Sequence, residues 1–257
     1  MASVEPGKAN AIFLHAGTSP ARAANDVRRA ESRVLPVATL RKEYREAFAE
    51  IVLRIQRSIS PGVASGAPAQ AAPSKPKKPA ANKTRPAEPI AMYIAGGAAQ
   101  LFYTGARVSE DIDASFSRRI LLPDNLEVAY FDADGVARLL YLDRQYNESF
   151  ALLHEDVHAD SLPIMIEGVD PAIVDVRAFA PVDLAVSKIA RFAEHDQDDM
   201  RALARAGLIK ADAVRERAEQ ALGNYVGNLT SVETSIRLSC ELIQETQTAR
   251  RSRMRRA

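Results

Sequence analysis

The chain has 257 residues, of which 47% are hydrophobic and 26% charged, and its formal net charge is +1 at pH 7. This length allows one or two domains with a sizeable core, and the composition is ordinary for a globular protein. The near-zero charge excludes a global attraction for nucleic acid, and a single cysteine excludes a disulfide framework and a cysteine-rich zinc site. Since no run of 18 apolar residues occurs, we expect a cytoplasmic protein without membrane contact.

The first 89 residues show three successive patterns. Residues 1–36 lack sustained hydrophobic periodicity, and we expect them to be disordered. Residues 37–59 place apolar side chains at helical spacing, which predicts an amphipathic helix packing on the main domain. Residues 60–89 contain seven prolines, four lysines and one arginine, which predicts an extended basic linker. An RNA-contacting arm is the alternative interpretation of this linker.

Residues 90–180 change to short apolar runs bounded by turn residues, which is typical of strands, and residues 181–248 show helical periodicity. Residues 249–257 form a basic tail, and a capping box at Thr230 and Glu233 predicts the start of a long last helix. A sheet followed by helices is an α+β arrangement. The predicted strands are 90–95, 111–117, 126–132, 136–142, 162–166 and 172–179, and the predicted helices are 98–103, 181–194, 196–206, 211–222 and the last one.

One stretch combines glycines, a short helical pattern and alternating acids. Gly96 and Gly97 follow an apolar strand, and Asp111 and Asp113 alternate with apolar residues further on. Glycines let backbone N–H groups approach a phosphate, and the N-terminus of a helix favours an anion. Positions 111 and 113 of a strand face the same side, so two carboxylates stand together next to that site. Mg²⁺ carrying a nucleoside triphosphate would relieve their repulsion.

Later segments add further charged candidates. Asp175 lies within an apolar strand, where a buried charge needs a metal or an ionic partner, and Arg177 is the alternative to an active-site role. Lys188 offers positive charge to a triphosphate, with a solvated helix residue as the alternative. Asp196 and Asp199 begin the next helix, where acids also complement the helix dipole. We interpret Asp196 as a cap and Asp199 as a site residue.

The order of these motifs resembles the nucleotidyltransferase fold. More narrowly, Gly-Gly, Asp-x-Asp, an Asp-Leu-x-x-x-Lys pattern ending at Lys188 and the following Asp-x-x-Asp resemble the bacterial family that contains AbiEii-type toxins of toxin–antitoxin systems. The resemblance covers about residues 90–205. It implies a nucleotidyltransferase-like mixed β-sheet with flanking helices and a C-terminal helical cap. Many nucleotidyltransferases have Gly-Ser where this chain has Gly96-Gly97, so one hydroxyl is missing from the phosphate loop.

The resemblance also implies roles for the candidate residues. Asp111 and Asp113 would bind Mg²⁺, and Asp175 would act as a base or third ligand. The two glycines would hold the triphosphate of an NTP together with Lys188, Asp199, Arg107 and Ser109. An ion pair with a surface acid is the alternative for Arg107.

The setting implied by the resemblance is a toxin–antitoxin or phage-defence module, with a tRNA or a protein as acceptor and a cognate antitoxin as partner. The second hypothesis is a catalytically inactive member of the same fold. Such a protein would act as an antitoxin or as an RNA- or protein-binding module, through the basic linker and the arginine tail.

One further motif matches a different class of enzyme. His154-Glu-Asp-Val-His158 fits the pattern of zinc metalloproteases, in which a helix presents both imidazoles on one face. A proline at position 163 and strand-like sequence follow too closely for a helix with a third ligand. We therefore expect a loop or a strand edge at this segment.

Overall fold

A computed structural model describes residues 40–60, 88–105 and 108–254, with the backbone alone at 253 and 254. The predictions for residues 1–36, for most of the linker, for Arg107 and for the end of the basic tail lie outside these ranges. Within them the chain is α+β, with six helices and two small mixed sheets. The helices are α1 (Lys42–Ile59), α2 (Gly96–Thr104), α3 (Pro181–Ser187), α4 (Glu194–Ala206), α5 (Ala211–Ala221) and α6 (Leu229–Met254). The strands are β1 (Ile90–Ile94), β2 (Asp111–Ile112), β3 (Ala114–Phe116), β4 (Glu127–Phe131), β5 (Ala137–Leu142), β6 (Leu162–Pro163) and β7 (Val174–Ala178).

The two sheets have different strand orders. The four-stranded sheet has the order β3-β1-β7-β6, with β1 parallel to β7 and antiparallel to β3. The three-stranded sheet has the order β2-β5-β4, with β2 parallel to β5. Strands β4 and β5 are antiparallel and form a hairpin around the turn at Ala133-Asp134-Gly135. The prediction of one strand over residues 111–117 is wrong, because the chain changes sheets at Asp113. The backbone C=O of Ile112 accepts from Asp143 in one sheet, and that of Asp113 accepts from Ala95 beside the other.

The hydrophobic core lies between the sheets and the helices. Strands β1 and β7 alternate buried and half-buried residues, so that one face of the four-stranded sheet enters the core. Helix α1 packs on β4 and β5, and the apolar stripe predicted for it is buried. This stripe consists of Leu40, Tyr44, Phe48, Ile51 and Ile55.

The C-terminal helices differ from prediction at their ends. Helix α3 stops at Ser187 rather than at 194, because the N–H groups of Lys188 and Ile189 bond three residues back instead of four. The chain then turns through a left-handed Phe192 (φ 46°), while the buried Ile189 continues the apolar pattern. The side chain of Asn228 accepts from the N–H of Ser231 at 3.1 Å, so this residue rather than Thr230 caps α6.

Helix α6 extends beyond the predicted helical region into the basic tail, to Met254. Its Cys240 is fully buried. Among the helices in the described ranges, none has the length and apolar character needed to cross a bilayer.

Candidate active site

A cavity of about 420 Å³ opens where α2 begins and where β5 and α3 end. This volume falls within the usual range for small-molecule sites. Gly96, Asp113, Lys188 and Arg191 line it. The segment after β5 also lines it, with Asp143, Gln145, Tyr146, Asn147, Phe150 and Ala151. Two of the predicted site elements, the glycine turn and the lysine, therefore meet in one cavity with one of the paired aspartates.

The glycine at the start of α2 is required by the approach of a carboxylate. Gly96 has a φ of +55°, and a Cβ placed there would lie 1.8 Å from Oδ2 of Asp113. The N–H of Ala95 donates to the C=O of Asp113 at 2.9 Å, which fixes this approach through the backbone. The side chain of Ala95 makes no cap, so the first N–H groups of α2 receive no side-chain acceptor from that residue.

A third carboxylate joins the predicted pair. The parallel register places Ile112 beside Leu142, and the N–H of Asp143 donates to the C=O of Ile112 at 3.0 Å. Asp143 therefore emerges at the same strand end as Asp113, which sequence reasoning missed. The sequence does show an acid directly after the apolar strand β5. Only the pairing of β5 with β2, however, brings this acid close to Asp113. Ser109 donates to Oδ1 of Asp111 at 2.6 Å and so orients it.

The electrostatics of this cluster are unbalanced. Burial raises the pKa of Asp113 to about 6, and the negative charges of Asp111 and Asp143 also raise it. The positive charges of Lys188 and Arg191 lower this pKa but do not cancel the increase. The carboxylates therefore gather more negative charge than the surrounding protein compensates.

The two cations of the cavity are already paired with acids from α4. Nζ of Lys188 donates to Oδ2 of Asp199 at 2.7 Å and lies 3.8 Å from Oδ1 of Asp196. Arg191 makes two hydrogen bonds to Asp196, at 2.8 and 2.7 Å. Asp196 also accepts from the N–H of Ala193, as expected for a cap, whereas Asp199 lies behind Lys188 rather than on the cavity wall. Asp199 thus positions the lysine.

Comparison with protein-family models, curated proteins and solved structures finds no match. Among the described residues, no group of three or more His, Cys, Asp or Glu side chains is gathered as a metal site. Mg²⁺ commonly takes only one or two protein carboxylates and completes its coordination with water and substrate phosphates. The donor set fits that demand, because Asp113 and Asp143 line the cavity and Asp111 is two residues before Asp113.

The structure does not bring Asp175 to this cavity. Asp175 pairs in register with Ala91, four residues before Ala95, which corresponds to roughly 13 Å along a strand. Its Oδ2 accepts from Nη1 of Arg177 at 3.2 Å, as in the ion-pair alternative. Gly97 lies in the first turn of α2, one residue beyond the cavity wall.

The zinc-protease motif does not form the helix that it would need. Residues 155–160 are turns, as expected for a loop. Nε2 of His158 lies 3.2 Å from a carboxylate oxygen of Glu148, and the ring of His158 stacks on Tyr93 with centroids 4.3 Å apart. Nδ1 of His154 accepts from the N–H of Asp156. Each imidazole therefore has a local structural contact.

Replacing Lys188 with methionine is expected to destabilise the fold. Lys188, Asp196 and Asp199 are all buried. Removing the lysine takes away the cation that lies 2.7 Å from the Asp199 carboxylate, whereas Asp196 keeps Arg191. Breaking a buried pair in this way costs about 3–5 kcal/mol. Urea unfolding of Lys188→Met measures this loss, with Lys210→Met at an exposed position as the control. Adding Asp199→Asn to Lys188→Met should restore part of the stability. If the double variant instead lost the sum of the two single losses in unfolding free energy, the pairing of Lys188 with Asp199 would be contradicted.

Proposed function

We propose that this protein is a nucleotidyltransferase that moves a nucleoside monophosphate from an NTP to a hydroxyl group of an RNA or protein acceptor. The observation that carries the proposal is the convergence of three elements in one cavity: the Asp113 and Asp143 carboxylates, the glycine-led N-terminus of α2, and the Lys188 and Arg191 cations. The order of motifs in the sequence, which resembles AbiEii-like transferases, supports the same function and a toxin–antitoxin or phage-defence setting.

The charge balance supports a requirement for divalent cations. Asp196 and Asp199 offset the charges of Lys188 and Arg191, so the three carboxylates at positions 111, 113 and 143 leave the site negative. A triphosphate would be repelled by that charge. Bound Mg²⁺ would supply the missing positive charge and polarise the reacting phosphate. Asp113 and Asp143, which line the cavity, are the residues that would hold it, with Asp111 two residues before Asp113 as the further carboxylate of the predicted pair.

Other groups that line the cavity would bind the nucleotide. First-turn N–H groups of α2 would donate to phosphate oxygens, and Lys188 and Arg191 line the same cavity as Gly96. Phe150 is 80% exposed and lines the cavity, where its ring would offer a stacking surface to the nucleobase.

The transfer itself is a substitution at phosphorus. The acceptor oxygen attacks the α-phosphorus, the bond to the bridging oxygen of the β-phosphate breaks, and pyrophosphate leaves. Asp143 takes the role proposed for Asp175 in the sequence, because it lies at the cavity and can accept the proton of the attacking hydroxyl.

Labelled nucleotides test this proposal directly. The wild type is incubated with each α-³²P-labelled NTP, Mg²⁺, total RNA and a cell protein extract, and compared with an Asp111→Asn, Asp113→Asn double variant whose fold is checked by circular dichroism. We expect a labelled macromolecule with the wild type and none with the variant. No labelled product in either sample, or equal labelling in both, would refute the enzyme. RNA binding that weakens steeply with salt would then favour the inactive binding module.

A further inference from the structure

An exposed apolar surface continues from the carboxylates onto the β4–β5 hairpin. The register pairs Glu127 with Tyr141, Ala129 with Leu139, and Phe131 with Ala137, so these six side chains share one face of the three-stranded sheet. We call it the outer hairpin face. All six residues are exposed, including Phe131 at 68%, Leu139 at 44% and Tyr141 at 40%. The opposite face carries Val128 and the buried Leu140 and packs on α1.

The outer hairpin face leads into the candidate active site. Tyr141 is the register partner of Asp111 in the parallel β2–β5 pair, so the two side chains lie on the same side of the sheet. Asp113 and Asp143 follow directly after β2 and β5, two residues beyond Asp111 and Tyr141, and both line the cavity. A molecule lying on the apolar side chains therefore extends directly toward the carboxylates.

The charges of this face distinguish between the two classes of acceptor. Its only charged member is Glu127, and Asp111 adjoins it. The nearby Arg138 pairs with Tyr130 on the opposite face, and its guanidinium binds Asp132 at 3.0 Å. An RNA site needs lysines or arginines for the phosphates, and the residues of this face supply none. An apolar surface with acidic neighbours complements a protein segment that carries apolar and basic side chains.

We propose that the outer hairpin face is the docking site for a protein acceptor. This inference rests on the proposed nucleotidyl transfer and selects a protein rather than an RNA as the acceptor. The acceptor is an extended segment with alternating apolar side chains, flanking lysines or arginines, and a serine, threonine or tyrosine hydroxyl. From Ala137 to Tyr141 the face runs roughly 13 Å, which corresponds to about four residues of extended chain. The hydroxyl residue follows at the Tyr141 end, next to Asp111.

A random-peptide display library panned on the full-length protein tests the docking site without relying on catalysis. We expect enrichment of sequences with apolar residues at alternate positions and with lysine or arginine beside them. The most enriched peptide is then synthesised with a fluorescent label, and its binding is measured by anisotropy without NTP or Mg²⁺. A Phe131→Ser, Leu139→Ser variant should bind it at least tenfold more weakly. The control variant is Val226→Ser, at a position that is 84% exposed, and its affinity for the peptide should equal that of the wild type.

Several results would overturn the docking site. One is the absence of any enriched peptide. Another is that the Phe131→Ser, Leu139→Ser variant binds the peptide as tightly as the wild type does. A third is that this variant loses an RNA binding that the wild type shows. A wild-type dimer in light scattering that becomes monomeric in the variant would instead assign the face to a second copy of the chain.

Nucleotide binding separates this inference from the proposed function. NTP binding in the presence of Mg²⁺, measured by equilibrium dialysis, should be equal in the wild type and the Phe131→Ser, Leu139→Ser variant. Labelled transfer to RNA without peptide binding would refute the docking site and leave the transferase intact. Peptide binding without NTP binding would refute the transferase, and with it the role of the peptide as an acceptor. Transfer of labelled nucleotide to the hydroxyl of the synthetic peptide is the expected positive result.

Discussion

Asp113→Asn is expected to make the Mg²⁺-free protein more stable while greatly slowing the proposed nucleotidyl transfer. Burial and the charges of Asp111 and Asp143 raise the pKa of Asp113 to about 6 from its ordinary 3.8. An acid whose pKa is higher in the folded state binds protons more tightly there, so its ionisation opposes folding. Asparagine has nearly the same shape and carries no charge, and therefore removes that cost. The transfer rate should fall about a thousandfold, because several kcal/mol of metal-borne stabilisation would be lost.

The pH dependence of this gain follows from the same shift. Above about pH 6 the carboxylate is ionised in both states and the cost is complete, so the gain in Tm should be largest there. Below the ordinary pKa of 3.8 both states are protonated, and the gain should vanish. Differential scanning fluorimetry at several pH values in EDTA measures it. Asp198→Asn is a suitable control, because this exposed acid on α4 lies outside the cavity. A lower Tm for Asp113→Asn at pH 8 would contradict the proposed repulsion.

Asp143→Asn is expected to lose transfer activity, whereas Asp175→Asn should retain most of it. Asp143 lines the cavity and interacts with Asp113, whereas Asp175 pairs with Arg177 on the four-stranded sheet. Loss of a carboxylate that receives the attacking proton typically lowers the rate by about 10²–10⁴-fold. Loss of a partly exposed ion pair costs about 1 kcal/mol of stability or less. Single-turnover rates with labelled NTP at saturating Mg²⁺ compare the two variants directly.

The comparison of these two aspartates distinguishes the structural assignment from the one based on sequence. Loss of activity in Asp175→Asn with normal activity in Asp143→Asn would reinstate the role predicted for Asp175. Loss in both would require unfolding measurements, to separate a damaged fold from a damaged site. A drop in kcat for Asp143→Asn at unchanged KM would place that residue in the chemical step rather than in binding.

Local patterns in the sequence predict much of the fold. Helix α1 and strands β1, β4, β5 and β7 lie close to where they were predicted, because their periodicity records one buried face. The ends of elements were less predictable. The apolar pattern continues through the turn after α3, since Ile189 stays buried there, and the cap of α6 depends on which side chain bonds to which N–H.

For the candidate site, the sequence by itself determined the glycine turn, the Asp111 and Asp113 pair and Lys188, since each lies in a short motif with its own chemistry. Only the tertiary structure decided which acids join them. Pairing of β2 with β5 brings Asp143 to Asp113 across thirty residues of chain, and pairing of β7 with β1 leaves Asp175 beside Arg177. Helix packing assigns Asp199 to Lys188. The physical reason is that strand register and helix contacts depend on distant residues, which no local pattern encodes.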